Sequence, residues 1–138
     1  MLLEVAGLEV RYGGIRAVKG IDIEVAEGEL VCLIGANGAG KTTTLKAICG
    51  LLHPAAGSVR YGGEDLARIP VHQRPGKGLV MVPEGRGIFP QLTVAENLLM
   101  GAYSRSDAAV AGDLERQYET FPRLRERRAQ SAGTLSGG

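Results

Sequence analysis

The residues with the most chemical content run Gly35-Ala36-Asn37-Gly38-Ala39-Gly40-Lys41-Thr42-Thr43. Gly35, Gly40, Lys41 and Thr42 fill the G-x-x-x-x-G-K-[ST] spacing of a loop that holds phosphate. Glycines allow a tight turn and bring backbone N–H groups close to an anion. A helix opening near Lys41 aims the positive end of its dipole at the same anion. Lys41 adds a point charge for the β- and γ-phosphates, about 4 kcal/mol at ~4 Å and an effective dielectric near 20, before desolvation. Thr42 offers a hydroxyl to Mg²⁺ and Thr43 is placed toward an α-phosphate, while Asn37, Gly38 and Ala39 form the crown of the loop.

Such a loop needs a strand to enter it and a helix to leave it. Leu30 to Ile34 is wholly apolar and predicts a buried strand; Lys41 to Leu52 predicts the helix, ended by Gly50 and His53-Pro54. Upstream, Leu2 to Arg11 reads as one or two short strands broken near Gly7, and Tyr12-Gly13-Gly14 as a turn. Ile21, Ile23 and Val25 alternate with Asp22 and Glu24, the pattern of a half-exposed strand. A hairpin feeding an all-apolar strand predicts an antiparallel sheet laid against a parallel core. Downstream, Ser58 to Tyr61 reads as a strand turning at Gly62-Gly63, Arg68 to Gly78 as loop or short helix, and Leu79 to Val82 as a second buried parallel strand. Thr93 with Glu96 forms a capping-box pattern opening a helix from Val94 to about Ala102. Further helices are expected from Asp107 to Thr120 and, after Phe121-Pro122, from Arg123 to Gln130, with Ser131 to Thr134 a loop.

The 138 residues are enough for one domain with a real core. A net charge of +1 argues against a nucleic-acid binder working by bulk charge, and 44% hydrophobic content against a disordered tail. Cys32 and Cys49 have neither metal-ligand spacing nor a disulfide framework, so reduced core thiols in a cytosolic protein are expected. No signal peptide and no long apolar run is visible, so docking on a membrane protein is compatible with the sequence and spanning a membrane is not expected.

With these motifs in order, the chain resembles an ATP-binding cassette (ABC) transporter ATPase over essentially its whole length. Tyr12 lies upstream of the loop, where that family places an aromatic that stacks on adenine. Leu79 to Val82 leads into the position of the family's Gln-containing loop, and Leu135-Ser136-Gly137-Gly138 matches the family's L-S-G-G signature. The stretch V-P-E-G-R-G-I-F-P-Q-L-T-V-A-E-N-L, Val82 to Leu98, is similar to the ATPases of branched-chain amino acid importers, as is L-E-V-R-Y-G-G near the start. The general pattern's Gln is Glu84 here, a mark of that subtype.

The resemblance implies an α/β P-loop NTPase fold, with an antiparallel β-subdomain and the P-loop core together in residues 1–92 and an incomplete helical subdomain in residues 93–138. It implies binding of ATP with Mg²⁺, at Thr42 and with Glu84 facing the metal or a water. It also implies dimerisation with a second ABC ATPase subunit, whose nucleotide Ser136, Gly137 and Gly138 would contact in trans. Transmembrane permease subunits would be the other partners, with the protein peripheral on the inner face of the cell membrane and no nucleic acid expected. The family's catalytic glutamate and switch histidine are not among these residues, so the 138-residue chain is expected to bind nucleotide at most, while its parent hydrolyses ATP. A non-hydrolysing nucleotide-binding module and a soluble ABC ATPase of DNA repair or translation are the alternatives.

Each site residue has a plainer reading. Tyr12 is otherwise a turn aromatic, Val18 a core residue in place of a base-packing one, and Glu84 a solvated carboxylate. Arg123, Arg125, Arg127 and Arg128 read as a solvated helix face ahead of a nucleic-acid patch. Arg86, Phe89 and Leu92 lie where the resemblance places the permease's coupling helix, and ordinary packing of the two apolar residues is compatible with that.

Overall fold

The computed structural model describes residues 1–85 and 87–136, which fall into two compact units, Met1–Met81 and Val82–Gly138. Arg86, Gly137 and Gly138, three residues named above, lie outside the described residues.

The first unit is built on a hairpin of β1 (Leu3–Tyr12) and β2 (Ile15–Val25), paired antiparallel from Leu3 opposite Val25 to Tyr12 opposite Ile15. The expected break near Gly7 is a bulge within one continuous strand. Gly7 has φ +58°, and the pairing register shifts between Val5 and Leu8. The shift has a purpose in packing. Val5 and Leu8 are three apart and would fall on opposite faces of a regular strand, yet both are buried, at 3% and 0% exposure. β3 (Ala56–Tyr61) pairs with the other edge of β1, and the two-residue β4 (Glu64–Asp65) closes the sheet order β2-β1-β3-β4.

Helix α1 (Lys41–Cys49) buries Ala47 and Ile48 in a core shared with Val5, Leu8, Val10, Val18, Val59, Leu66 and Ile69. It ends where the sequence places its stop. Gly50 takes φ +84° and donates its N–H to Ala47 O, while Leu51 N–H reaches back to Lys46 O. Residues 66 to 77 form three short 3₁₀ turns.

Two strand expectations are corrected. Neither Leu30–Ile34 nor Leu79–Val82 forms a strand, and neither run is buried as a whole: Leu30 is 89% and Ile34 95% exposed, Val80 68% and Val82 86%. Cys32 is exposed with them and is not a core thiol; Cys49 is half-buried, and burial pushes its thiol pKa up while the nearby Arg74 charge opposes the shift. A parallel strand must find its hydrogen-bond partners far along the chain. Among the described residues no strand offers them.

In the second unit, α2 (Val94–Met100) carries the expected capping box, with Thr93 Oγ1 accepting from Glu96 N–H and Glu96 Oε2 accepting from Thr93 N–H at 2.7 Å. α3 (Val110–Thr120) starts later than expected because Asp107 is bound by Arg105 and by Ala109 N–H in a preceding turn. α4 (Pro122–Glu126) stops short of Gln130 for a physical reason. The carbonyls of Arg128 and Gln130 accept from Ala95 and Val94 N–H, the open first turn of α2, which draws this segment out of helix. Ser131 then bridges to Thr93. No helix among the described residues is long and apolar enough to cross a membrane.

Candidate phosphate-binding site

Gly35 to Gly40 enters α1 without any of the usual side-chain caps. Gly40 is the N-cap residue, makes no side-chain cap bond, and no acidic residue lies in the first turn. The first-turn amides are therefore left for an external acceptor. Gly38 and Gly40 have φ of +83° and +96°, so the crown turns through conformations that side chains resist. A Cβ on Gly40 would lie 2.6 Å from Ala17 O and 3.3 Å from Val18 Cγ2, so the loop is seated directly on β2. A hollow of about 570 Å³ lies between that strand and Gly38 to Lys41.

Lys41 Nζ donates to Gly35 O at 2.6 Å and Ala36 O at 2.8 Å, which holds its charge over the mouth of the loop. Thr44 is buried and returns its hydroxyl to Gly40 O at 2.9 Å. That leaves Thr42, exposed, and Thr43, half-buried, as the hydroxyls next to the loop. Uncapped first-turn amides, an ammonium and a hydroxyl suit a polyphosphate, and a metal carried by it would take Thr42 plus phosphate oxygens and water.

Tyr12 is 48% exposed, and its hydroxyl lies 3.5 Å from Thr43 Oγ1. The aromatic and the loop are thus brought together across 31 positions of sequence. Val18 is 4% exposed in the core and presents almost no surface to a base. Glu84 is exposed in the second unit, as is Ser136. Phe89 is 49% exposed, beside an apolar groove of about 480 Å³ lined by Ile88, Val94, Leu98, Met100 and Leu124.

Two residues that sequence reasoning passed over organise these segments. Asn97 accepts from Phe89 N–H at 2.8 Å and donates to the carbonyls of Phe89 and Thr93, fixing the loop before α2. Arg74, 8% exposed, donates to three carbonyls in the first unit. An Asn four residues after a helix cap is a weak signal, and an arginine within a proline-punctuated loop is none.

A glycine loop seated on a strand, an uncapped helix behind it and a lysine over its mouth define the P-loop class. Within that class the chain belongs to the ABC transporter family, whose model, described as ABC transporter, matches residues 18–138. The chain is 47% identical over 127 residues to the high-affinity branched-chain amino acid transport ATP-binding protein BraG of Pseudomonas aeruginosa, covering 92% of this chain and 54% of that protein. It is 38% identical over 137 residues to Nod factor export ATP-binding protein I of Burkholderia lata, covering 99% of this chain and 44% of that protein. A solved structure described as the ATP binding subunit of an ABC transporter superposes with a TM-score of 0.86 at 33% identity, over 99% of this chain and 56% of that one. The chain thus spans about half the length of these relatives. The α/β P-loop cassette expected from the sequence is borne out, and so is the likeness to branched-chain amino acid transport ATPases.

Proposed function

We propose that the chain is the nucleotide-binding part of an ABC importer ATPase that couples ATP binding and hydrolysis to uptake of branched-chain amino acids. The observation that carries the reading is the uncapped α1 N-terminus with Lys41 Nζ held at its loop. The likeness to BraG supports the substrate class.

In this reading Gly35 to Gly40 wraps the phosphates with backbone N–H groups, Lys41 neutralises the β- and γ-charges, Thr43 bonds the α-phosphate and Tyr12 stacks on the adenine. Thr42 supplies the hydroxyl that holds Mg²⁺, and Glu84 faces that metal or its water. Mg²⁺ contributes charge neutralisation of the phosphates when bound. Ser136, Gly137 and Gly138 would address the nucleotide of a second ATPase subunit, a two-fold arrangement. The groove beside Phe89 would receive a permease subunit at the inner face of the membrane. The catalytic glutamate and switch histidine of the resemblance have no match among these residues, so the activity proposed for them is binding without turnover.

The test is calorimetric titration of MgATP into the chain and into Lys41→Ala. Lysine-dependent binding near 10 μM, about −7 kcal/mol, is expected. Equal heats from both proteins would overturn the assignment, and an ATPase rate abolished by Lys41→Ala would overturn the absence of turnover.

A further inference from the structure

We infer that Arg74 is a positioning residue of the nucleotide site: it grips the far end of α1 and thereby sets the phosphate loop in register with Tyr12. The inference rests on the nucleotide-binding reading above.

The last carbonyls of α1 are divided among local amides and one distant side chain. Lys46 O takes Leu51 N–H and Ala47 O takes Gly50 N–H, both local. Ile48 O takes a guanidinium N–H of Arg74 at 2.9 Å, from 26 residues away. The same guanidinium donates to Leu66 O at 2.7 Å and Ile69 O at 3.2 Å, so one planar fork locks the helix end to the segment behind it. Among the described residues no carboxylate pairs with Arg74. Its charge is answered by carbonyl dipoles and by the negative end of α1. Gly50 makes room for it: a Cβ there would lie 2.5 Å from Arg74 Nη1.

This grip matters for the site because α1 is short. Nine residues span about 13 Å, so a shift at one end is carried to the other. The bonds that shape the loop, Lys41 to Gly35 and Ala36, Ala39 N–H to Ala36 O and Thr44 to Gly40, are all internal to the loop and helix. They move with α1 as one body. That body is seated on β2 at Gly40 and held at Arg74 at its other end. Releasing Arg74 lets α1 pivot about Gly40, which changes the 3.5 Å spacing between Thr43 and Tyr12 while leaving the loop itself intact.

ATP needs both the aromatic and the loop; inorganic tripolyphosphate needs only the loop. Calorimetry of the full chain would compare the two magnesium complexes in wild type, Arg74→Met and Arg74→Lys, with circular dichroism confirming the folded state. In Arg74→Met the ratio of MgATP to tripolyphosphate affinity should fall about tenfold. Arg74→Lys, which keeps the charge and reaches one carbonyl, should lose about threefold. If Arg74→Met does not fold, the lysine variant alone decides. An unchanged ratio in whichever variants fold, or an equal loss for both ligands, would overturn the positioning role and assign Arg74 to stability alone. Absence of lysine-dependent MgATP binding in the wild-type chain would instead remove the nucleotide reading on which the inference stands.

Discussion

The β1–β2 hairpin and the run Leu30–Ile34 are both rich in apolar residues, and they end in opposite states. In the hairpin, Val5, Leu8 and Val10 are buried at 3% or less, and the backbone is paired from Leu3 to Tyr12. In the run, Leu30 and Ile34 are almost fully exposed and unpaired, although the phosphate loop begins at the very next residue. The difference lies in where each segment finds its partner. A hairpin brings its second strand with it across a two-residue turn, whereas a parallel strand depends on chain from elsewhere. The phosphate loop keeps its shape all the same, because its bonds are to itself and to α1 and it is seated against β2 at Gly40.

The sharpest way to break this comparison is to truncate one apolar residue from each region. Leu8→Ala removes a side chain with no exposure and should cost about 2–5 kcal/mol. Ile34→Ala removes one that is 95% exposed and should stay within about 0.5 kcal/mol. Urea unfolding followed by circular dichroism measures both. A large loss from Ile34→Ala would mean that the run packs in solution and that the two regions do not differ as described.

Legibility in the sequence follows the same division. The phosphate loop was readable because its chemistry is encoded in consecutive residues, and the Thr93–Glu96 cap because its partners are three apart. The Gly7 bulge was readable only as a break, since a strand resumes after it in a shifted phase that alternation does not reveal. The apolar runs look buried in the sequence because hydrophobicity reports a preference and not the presence of a neighbour. Arg74 shows in the sequence only as part of a loop, because what makes it matter, Ile48 O, lies 26 residues away. Val18 had two readings, and only its burial favours the core. The shortened α4 had no local cause at all; it ends because the open amides of α2 take the carbonyls of Arg128 and Gln130.

The second unit offers a smaller test of the idea that locally partnered features stand on their own. Thr93→Ala removes the hydroxyl that accepts from Glu96 N–H at 3.2 Å and that donates to Glu96 Oε2 at 2.8 Å. The expected cost is about 1 kcal/mol, read by urea unfolding of the helical signal. Restoration by Thr93→Ser is expected, since serine supplies the same hydroxyl. No loss in Thr93→Ala would mean that the bonds alanine keeps, from the backbone N–H of residue 93 to Glu96 and from Val94 and Ala95 to the Gln130 and Arg128 carbonyls, are enough to hold α2.

The smallest effect is the pH dependence of the same cap. Bonds from Thr93 N–H and the Thr93 hydroxyl hold the Glu96 carboxyl below its ordinary pKa. The folded chain therefore binds fewer protons there than the unfolded chain, and this contribution to stability is complete above the unfolded pKa, about 4.3. It is lost as the pH falls through the depressed folded value. Glu96→Gln retains an acceptor that does not titrate. As the pH falls below about 4.3, the stability of the wild type should fall more steeply than that of Glu96→Gln. Parallel pH profiles would show that the charge of Glu96 adds nothing, and that the cap acts through the geometry of its hydrogen bonds alone.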